Sequence, residues 1–304
     1  MIHVMGEALI DIIVSPHGEI NSVVGGGPVN TARTIARLGT EVSFIGGISQ
    51  DALGKRIRRL LDSDGVHCAI EQDCAASTTL AIASLDDEGA ATYQFLIHET
   101  SSLSVTPEIA LNAMDDKATA LHIGTLAFVF EPLSQATRAV VAAMDETQLL
   151  MIDPNARPSV MHDPSQFWET FNTTLNRADV IKFSGEDLDY MFPDLSNLAA
   201  VRDICSRSQA VVLFTDGARG VHVLTKTEEF LVNVPEVHVV DTVGAGDSFS
   251  GGFLTYWDRN NWGRSNLQDA KAVRAAVEFG IKVAGLTCQR AGAVPPFAHE
   301  LIAT

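Results

Sequence analysis

Positive charge is scarce in this chain. Lys and Arg number 21 against 38 Asp and Glu in 304 residues, a formal net charge of −17. Such a balance supplies no basic face for a nucleic acid or an anionic membrane surface, so neither is expected as a partner. An anionic substrate would have to be met by a local device: a helix N-terminus, a single Arg or a metal ion. Cysteine is scarce as well. Cys68, Cys74, Cys205 and Cys288 have no CxxC spacing and no matching His pairs, which argues against a zinc site and for free thiols in a reducing compartment. No uncharged apolar run approaches the length of a membrane span. The opening MIHVMGEALIDIIV has neither the basic start nor the small-residue cleavage site of a secretory signal. A cytoplasmic protein is expected.

Two familiar phosphate-binding loops are also missing. The Gly-Lys pair, Gly54-Lys55, is followed by Arg56 where a Walker A loop needs Ser or Thr, so a P-loop NTPase is excluded. The dinucleotide fingerprint GxGxxG fails twice: Asn30 stands at its third glycine in GGGPVN, and Phe249 in GAGDSF. A nicotinamide or flavin oxidoreductase is disfavoured accordingly.

What is present is a globular composition, 46% hydrophobic and 19% charged, with alternating periodicities. ALHIGTLAFVF (120 to 130), LLMIDPN (149 to 155), ADVIKFS, AVVLFTDG and GVHVLT read as buried strands. Between the first two, Leu133, Ala136, Val140, Val141 and Met144 share one helical face. SNLAAVRDICSRSQ and LQDAKAVRAAVEFGIKVAGLT are further helices. This alternation predicts an α/β fold, a doubly wound, mostly parallel sheet flanked by helices. The first hundred residues differ. DIIVSPHGEINSVV, and TTLAIASLDDEGAATYQF with its DDEG turn, suggest a small β-sheet lid from strands within about 11–24 and 68–98. Without a linker between the parts, residues 1–304 read as one domain.

Two glycine clusters remain. In DTVGAGDSFSGGF (241 to 253) a glycine-rich turn opens a helix. Glycine permits close backbone approach, and the free amides of the first turn point at an anion. Asp247, at the helix mouth, is suited to accept the proton of an attacking hydroxyl; a plain helix cap is the structural alternative. In GGGPVNTARTIARLG (25 to 39), Pro28 suits the first helical position and Gly39 the C-cap, with Val29, Ala32, Ile35, Ala36 and Leu38 on the buried face. Three consecutive glycines would let a polyhydroxyl ligand touch the backbone beside Asn30, which offers a donor and an acceptor. His122, inside ALHIG, reads as a hydrogen-bonded core histidine.

GEALID, GGGPVNTA, DPNARP, TDGARG, DTVGAGDSFSGGF and LTCQRAGAVPP occur in the order shown by the ribokinase-like (PfkB) carbohydrate kinases, and the chain resembles that family over essentially its whole length. Within the family, GE-x-L-x-D and DPN-x-R resemble the fructokinases. The resemblance implies an ATP-dependent transfer of the γ-phosphoryl group to a sugar hydroxyl, most simply of fructose. Alternatives are 2-keto-3-deoxygluconate, ribose or a nucleoside, or a catalytically silent sugar-binding regulator. It makes Asp247 the base, with the amides of Ala245, Gly246 and Asp247, in the loop that starts at Gly244, as the anion hole. Asp11, Gly26, Gly27, Asn30 and Arg157 would bind the sugar, and Phe95 or Tyr93 would cover it. Thr215, Gly217, Gly220, Ser184 and Gly244 would line the nucleotide. Mg²⁺ is implied through Glu186 or Asp187, in a KFSGEDLDY segment whose Ser184 and Asp187 replace the family's Asn and Glu. A K⁺ site is implied around Asp241 and Val243, facing the segment 288–292, and a homodimer through the lid.

Overall fold

The computed structural model describes residues 1–86, 91–161 and 164–302. The chain begins in β1 (Ile2–Met5) and leaves at once for a hairpin of β2 (Leu9–Val14) and β3 (Ile20–Gly25). It returns through α1 (Gly27–Arg37), β4 (Val42–Ile45), α2 (Ala52–Asp64) and the two-residue β5 (His67–Cys68). A second excursion forms β6 (Thr79–Leu85) and β7 (Ala91–Leu96). Then come α3 (Pro107–Asn112), β8 (Ala120–Gly124), α4 (Leu133–Ala143), β9 (Leu149–Asp153) and α5 (Pro164–Leu175). They are followed by β10 (Val180–Ser184), α6 (Gly185–Met191), α7 (Asn197–Arg207) and β11 (Val211–Thr215). β12 (Val221–Leu224), β13 (Glu229–Val232), α8 (Ala245–Arg259) and α9 (Ala270–Cys288) complete the chain.

The main sheet has the order β13-β12-β11-β10-β9-β8-β1-β4-β5. It is parallel from β5 to β11, with β12 and β13 running antiparallel at one edge. Residues of α3 to α7 join one apolar cluster and those of α1, α2, α8 and α9 the other. Covered on both faces, β1, β8 and β9 are buried at every position and show no alternation of buried and exposed residues. The doubly wound α/β expectation holds.

The second sheet has the order β3-β2-β6-β7. On the face turned away from the cleft, Ile12, Val24 and Leu80 are partly buried against the cluster that includes α2, and Arg56 donates to the Ser22 hydroxyl and carbonyl, both at 2.7 Å. Two boundaries change. β2 begins at Leu9, and Cys68 belongs to the main sheet, because β5 pairs with β4 there. Of the DDEG turn, residues 87–89 lie outside the described residues.

Two further readings are corrected. The apolar run 120–130 is not one strand: β8 stops at Gly124 and a 3₁₀ turn follows from Thr125 to Phe128. Leu126, Ala127 and Phe128 are fully buried there, so burial rather than extension explains the composition. His122 is in the core but not hydrogen-bonded; neither ring nitrogen has a partner among the described residues, and burial pushes its pKa down to about 3.

Candidate active site

The carboxyl ends of the parallel strands face the small sheet across a cleft of about 1870 Å³, where ligands of open α/β sheets bind. Every catalytic, sugar and nucleotide candidate named from the sequence lines it, as do Glu186, Asp241 and Val243; Asp187 does not.

The catalytic end is built by the starts of α1 and α8 meeting side by side. Gly244 caps α8 with a φ of 75°. A Cβ there would stand 2.5 Å from Cβ of Ala293, so only glycine fits both the backbone and the neighbour. The Ala245 amide donates back to the Thr242 carbonyl at 3.2 Å, closing the turn. That leaves Gly246 and Asp247 as first-turn amides with no acceptor among the described residues, an anion-binding pair. Asp247 is held by α1: Asn30 Nδ2 donates to its Oδ2 at 3.0 Å, and the Thr31 hydroxyl donates to its carbonyl at 3.3 Å. Burial pushes the Asp247 carboxyl up to about 6. The Asn30 bond, Lys182 and Arg157 oppose the rise, and Asp153 adds to it. Such a carboxyl is still ionised at neutral pH and close enough to it to act as a base.

The sugar candidates surround this carboxylate. Asp11, on β2, is raised to about 6, first by burial and then by Asp247, with Arg157 opposing. Its carboxylate lies against the Cα of Gly25, where any side chain would collide with it. Gly26 has a φ of 106°, and a Cβ there would stand 2.7 Å from the Glu7 carbonyl. Asn30 Oδ1 is buried with no partner among the described residues, an acceptor free for a ligand hydroxyl. Arg157 spends Nη1 on the carbonyls of Asn155 and Ala156 at 3.4 and 3.2 Å. Tyr93 and Phe95 share the inner face of β7, their rings stacked 6.5 Å apart.

At the nucleotide end, Thr215 closes β11 and donates to the Phe183 carbonyl at 3.1 Å. Gly217 (φ 55°) and Gly220 (φ 120°) turn the β11–β12 hairpin. TDGARG is thus both a hairpin turn and part of the cleft lining. Asp187 is a structural residue: it is fully buried, and one oxygen accepts from the Ala156 amide at 2.6 Å. The other accepts from the Ser184 amide and hydroxyl, both at 2.7 Å, in a capping box at the start of α6. Buried and turned to the protein, it does not line the cleft. Glu186, exposed in the cleft, is the carboxylate left for a cation. Asp241 ties two loops together, accepting from Val243 N at 3.0 Å and Gly292 N at 2.8 Å.

Sequence reasoning missed four neighbours. Glu7, fully buried, accepts from the amides of Gly27 and Leu126 at 3.2 and 3.1 Å and so fixes both rims of the sugar end. The glutamate of GEALID was visible, but its partners are not. Lys182 pairs with Asp153 at 2.6 Å beneath α8, its Nζ 3.0 Å from where a Cβ on Gly246 would lie. Burial disfavours its charge, yet Asp153, Asp187 and Asp247 hold its pKa above the ordinary lysine value. Thr125 and Asn155, the last two, contact the same glycine as Asp247.

Sequence comparison agrees with this geometry. The model of the pfkB family of carbohydrate kinases matches residues 1–300. The chain is 28% identical to the fructokinase of Vibrio alginolyticus over 304 residues, covering 98% of this chain and 97% of that one. It is 31% identical to the fructokinase of Rhizobium leguminosarum bv. trifolii over 268 residues, covering 86% and 81%. Among solved structures, the ATP-bound fructokinase of Xylella fastidiosa superimposes with a TM-score of 0.88 at 28% identity, covering 99% and 97% of the two chains. A double mutant of the Vibrio cholerae O395 fructokinase, bound to fructose, ADP and a potassium ion, gives 0.86 at 26%, with the same coverage. The family model spans nearly the whole chain, and the chain belongs to the pfkB family of carbohydrate kinases.

Proposed function

We propose that this kinase transfers the γ-phosphoryl group of ATP to a hydroxyl of fructose, with Asp247 as the base. The observation that carries the reading is the meeting of Asp247 with Asn30 at the mouth of α8, beside the amides of Gly246 and Asp247, which have no acceptor among the described residues. The acceptor hydroxyl gives its proton to the Asp247 carboxylate as its oxygen bonds to the γ-phosphorus. The bond from that phosphorus to the β,γ-bridging oxygen breaks, and ADP departs. The two amides receive the charge that develops on the transferred group, a contribution of about 3 kcal/mol per donor. Asp11, Asn30 Oδ1, Gly26 and Gly27 hold the sugar, with Arg157 offsetting the two carboxylates. Thr215, Gly217, Gly220 and Ser184 line the nucleotide.

Mg²⁺ fits the residues present. Glu186 offers a single free carboxylate rather than a closed cage, and Mg²⁺ characteristically takes one or two carboxylates plus phosphate oxygens and water. When bound, the ion neutralises phosphate charge. K⁺ belongs beside the Asp241–Gly292 junction, held by backbone carbonyls. Residues 1–304 act as one unit, with the small sheet as a lid that excludes water on closure. ATP use and four free thiols support a cytoplasmic location. No helix among the described residues is long and apolar enough to cross a membrane. A homodimer through the lid is part of the same proposal.

The test is ADP release from Mg-ATP with fructose, ribose, 2-keto-3-deoxygluconate and adenosine, with and without K⁺. Turnover confined to fructose is expected. Turnover on another member keeps the mechanism and discards fructose; ATP and sugar binding without turnover on any member favours a silent binder.

A further inference from the structure

Two residues at the floor of the cleft keep backbones that glycine would adopt more readily. Thr125, immediately after β8, has a φ of 53°, and Asn155, two residues after β9, a φ of 42°. Asn tolerates this region; a β-branched residue in it is a genuine outlier. Such outliers persist where the side chain does something the backbone alone cannot.

The side chains show what that is. Asn155 Nδ2 donates to Thr125 Oγ1 at 3.0 Å. Both atoms, together with the base, crowd the Cα of Gly27. A Cβ there would stand 3.0 Å from Thr125 Oγ1, 3.1 Å from Asp247 Oδ1 and 3.2 Å from Asn155 Nδ2. A hydroxyl, an amide and the catalytic carboxylate therefore converge on one point of the sugar-facing loop. Because Thr125 Oγ1 accepts from Asn155, its own proton is turned away from that partner, and no acceptor takes it among the described residues. Both residues line the cleft.

We propose that Thr125 is a specificity-determining contact for the acceptor. Its hydroxyl donates to an oxygen of the sugar next to the hydroxyl that Asp247 deprotonates, and Asn155 orients that hydroxyl. The inference rests on the kinase reading above and adds a residue to it. Thr125 sets the angle at which the reacting oxygen meets the base, and small misplacements at that point are costly in rate.

Thr125→Gly removes the hydroxyl and relaxes the backbone, Thr125→Ser keeps the hydroxyl, and Asn155→Gly frees it to rotate. Each is compared with wild type for kcat/KM on the sugar that wild type turns over, KM for ATP, sugar affinity by calorimetry, and Tm. The expected result is a Thr125→Gly enzyme that melts within about 3 °C of wild type, or higher, yet loses about 10- to 100-fold in kcat/KM for the sugar. KM for ATP stays within about threefold, and Thr125→Ser stays near wild type. Asn155→Gly falls between them. A Thr125→Gly enzyme with wild-type kcat/KM overturns the assignment, as does a loss that Thr125→Ser shares in full. If Thr125→Gly does not fold, Asn155→Gly decides by the same criterion. Should wild type turn over no sugar, the kinase reading itself has failed and this assignment falls with it; an active wild type matched by its variants defeats only the Thr125 assignment.

Discussion

As the proposed base, Asp247 is suited to the chemistry by where burial leaves its pKa. An exposed aspartate is a weak base; at about 6 the carboxyl is a stronger one and still ionised at pH 7. Asp247→Asn should lower kcat by about 10²- to 10⁴-fold and leave sugar affinity by calorimetry nearly unchanged, since Asn keeps an oxygen for Asn30. The sign of the pH effect follows from the direction of the shift. The working form is the deprotonated one, so kcat/KM should rise as pH increases through about 6 and level off above it. Asp11, also raised to about 6, belongs to the same limb, which a pH profile of kcat/KM on wild type and Asp11→Asn would separate. GAGD was legible as a candidate for this role from its residue types alone. The shift was not, because burial causes it and the charges that add to or oppose it lie on β9, β10 and the loop after β9, at sequence distances of 65 residues or more that no local pattern spans.

Helix starts position the site, and each uses a different device. α1 is capped by Gly26, whose φ is positive, with Pro28 in its first turn, α8 begins after Gly244, and α6 at the Ser184–Asp187 capping box. α1 and α8 approach closely because Gly251 has no side chain; a Cβ there would lie 2.7 Å from Cβ of Thr34. That contact keeps Asn30 against Asp247. The capping box separates two neighbouring carboxylates that the sequence left equivalent. Asp187→Ala should destabilise the protein by about 1–3 kcal/mol in urea unfolding, because the buried amides of Ser184 and Ala156 lose their acceptor. Glu186→Gln should leave unfolding unchanged and raise the Mg²⁺ concentration needed for half-maximal rate. The reverse pattern in a magnesium titration would return the cation to Asp187.

Across the whole molecule, the acidic chain contains its anion site by locality. The net charge of −17 repels nucleotide at long range, and screening limits that field to about 8–10 Å at physiological salt. Within the cleft, Lys182, Arg157 and the first-turn amides of α8 act at contact distance. The lid is the other molecular-scale feature. Its outer face leaves Ile20 71% and Leu96 44% exposed, and β3 and β7 are open edges of a four-stranded sheet. If two lids pair, light scattering will give twice the 32.6 kDa chain mass, and Ile20→Asp will shift the equilibrium to monomer. A wild-type monomer at micromolar concentration would reject that arrangement.

The sequence by itself determined the α/β class, the two glycine-bearing helix starts and the existence of a separate small sheet, because strand and helix periods and glycine–proline placement are local physics. It also pointed to Asp11, Asn30, Arg157 and Asp247 through their place in motifs. Only the tertiary structure decided that Glu186 rather than Asp187 faces the cleft, that the apolar run after β8 is a buried turn, and that Glu7, Lys182, Thr125 and Asn155 belong to the site. Each of those depends on what a side chain meets across the sheet, and adjacent strands or packed helices bring together residues whose separation along the chain carries no signal of their separation in space.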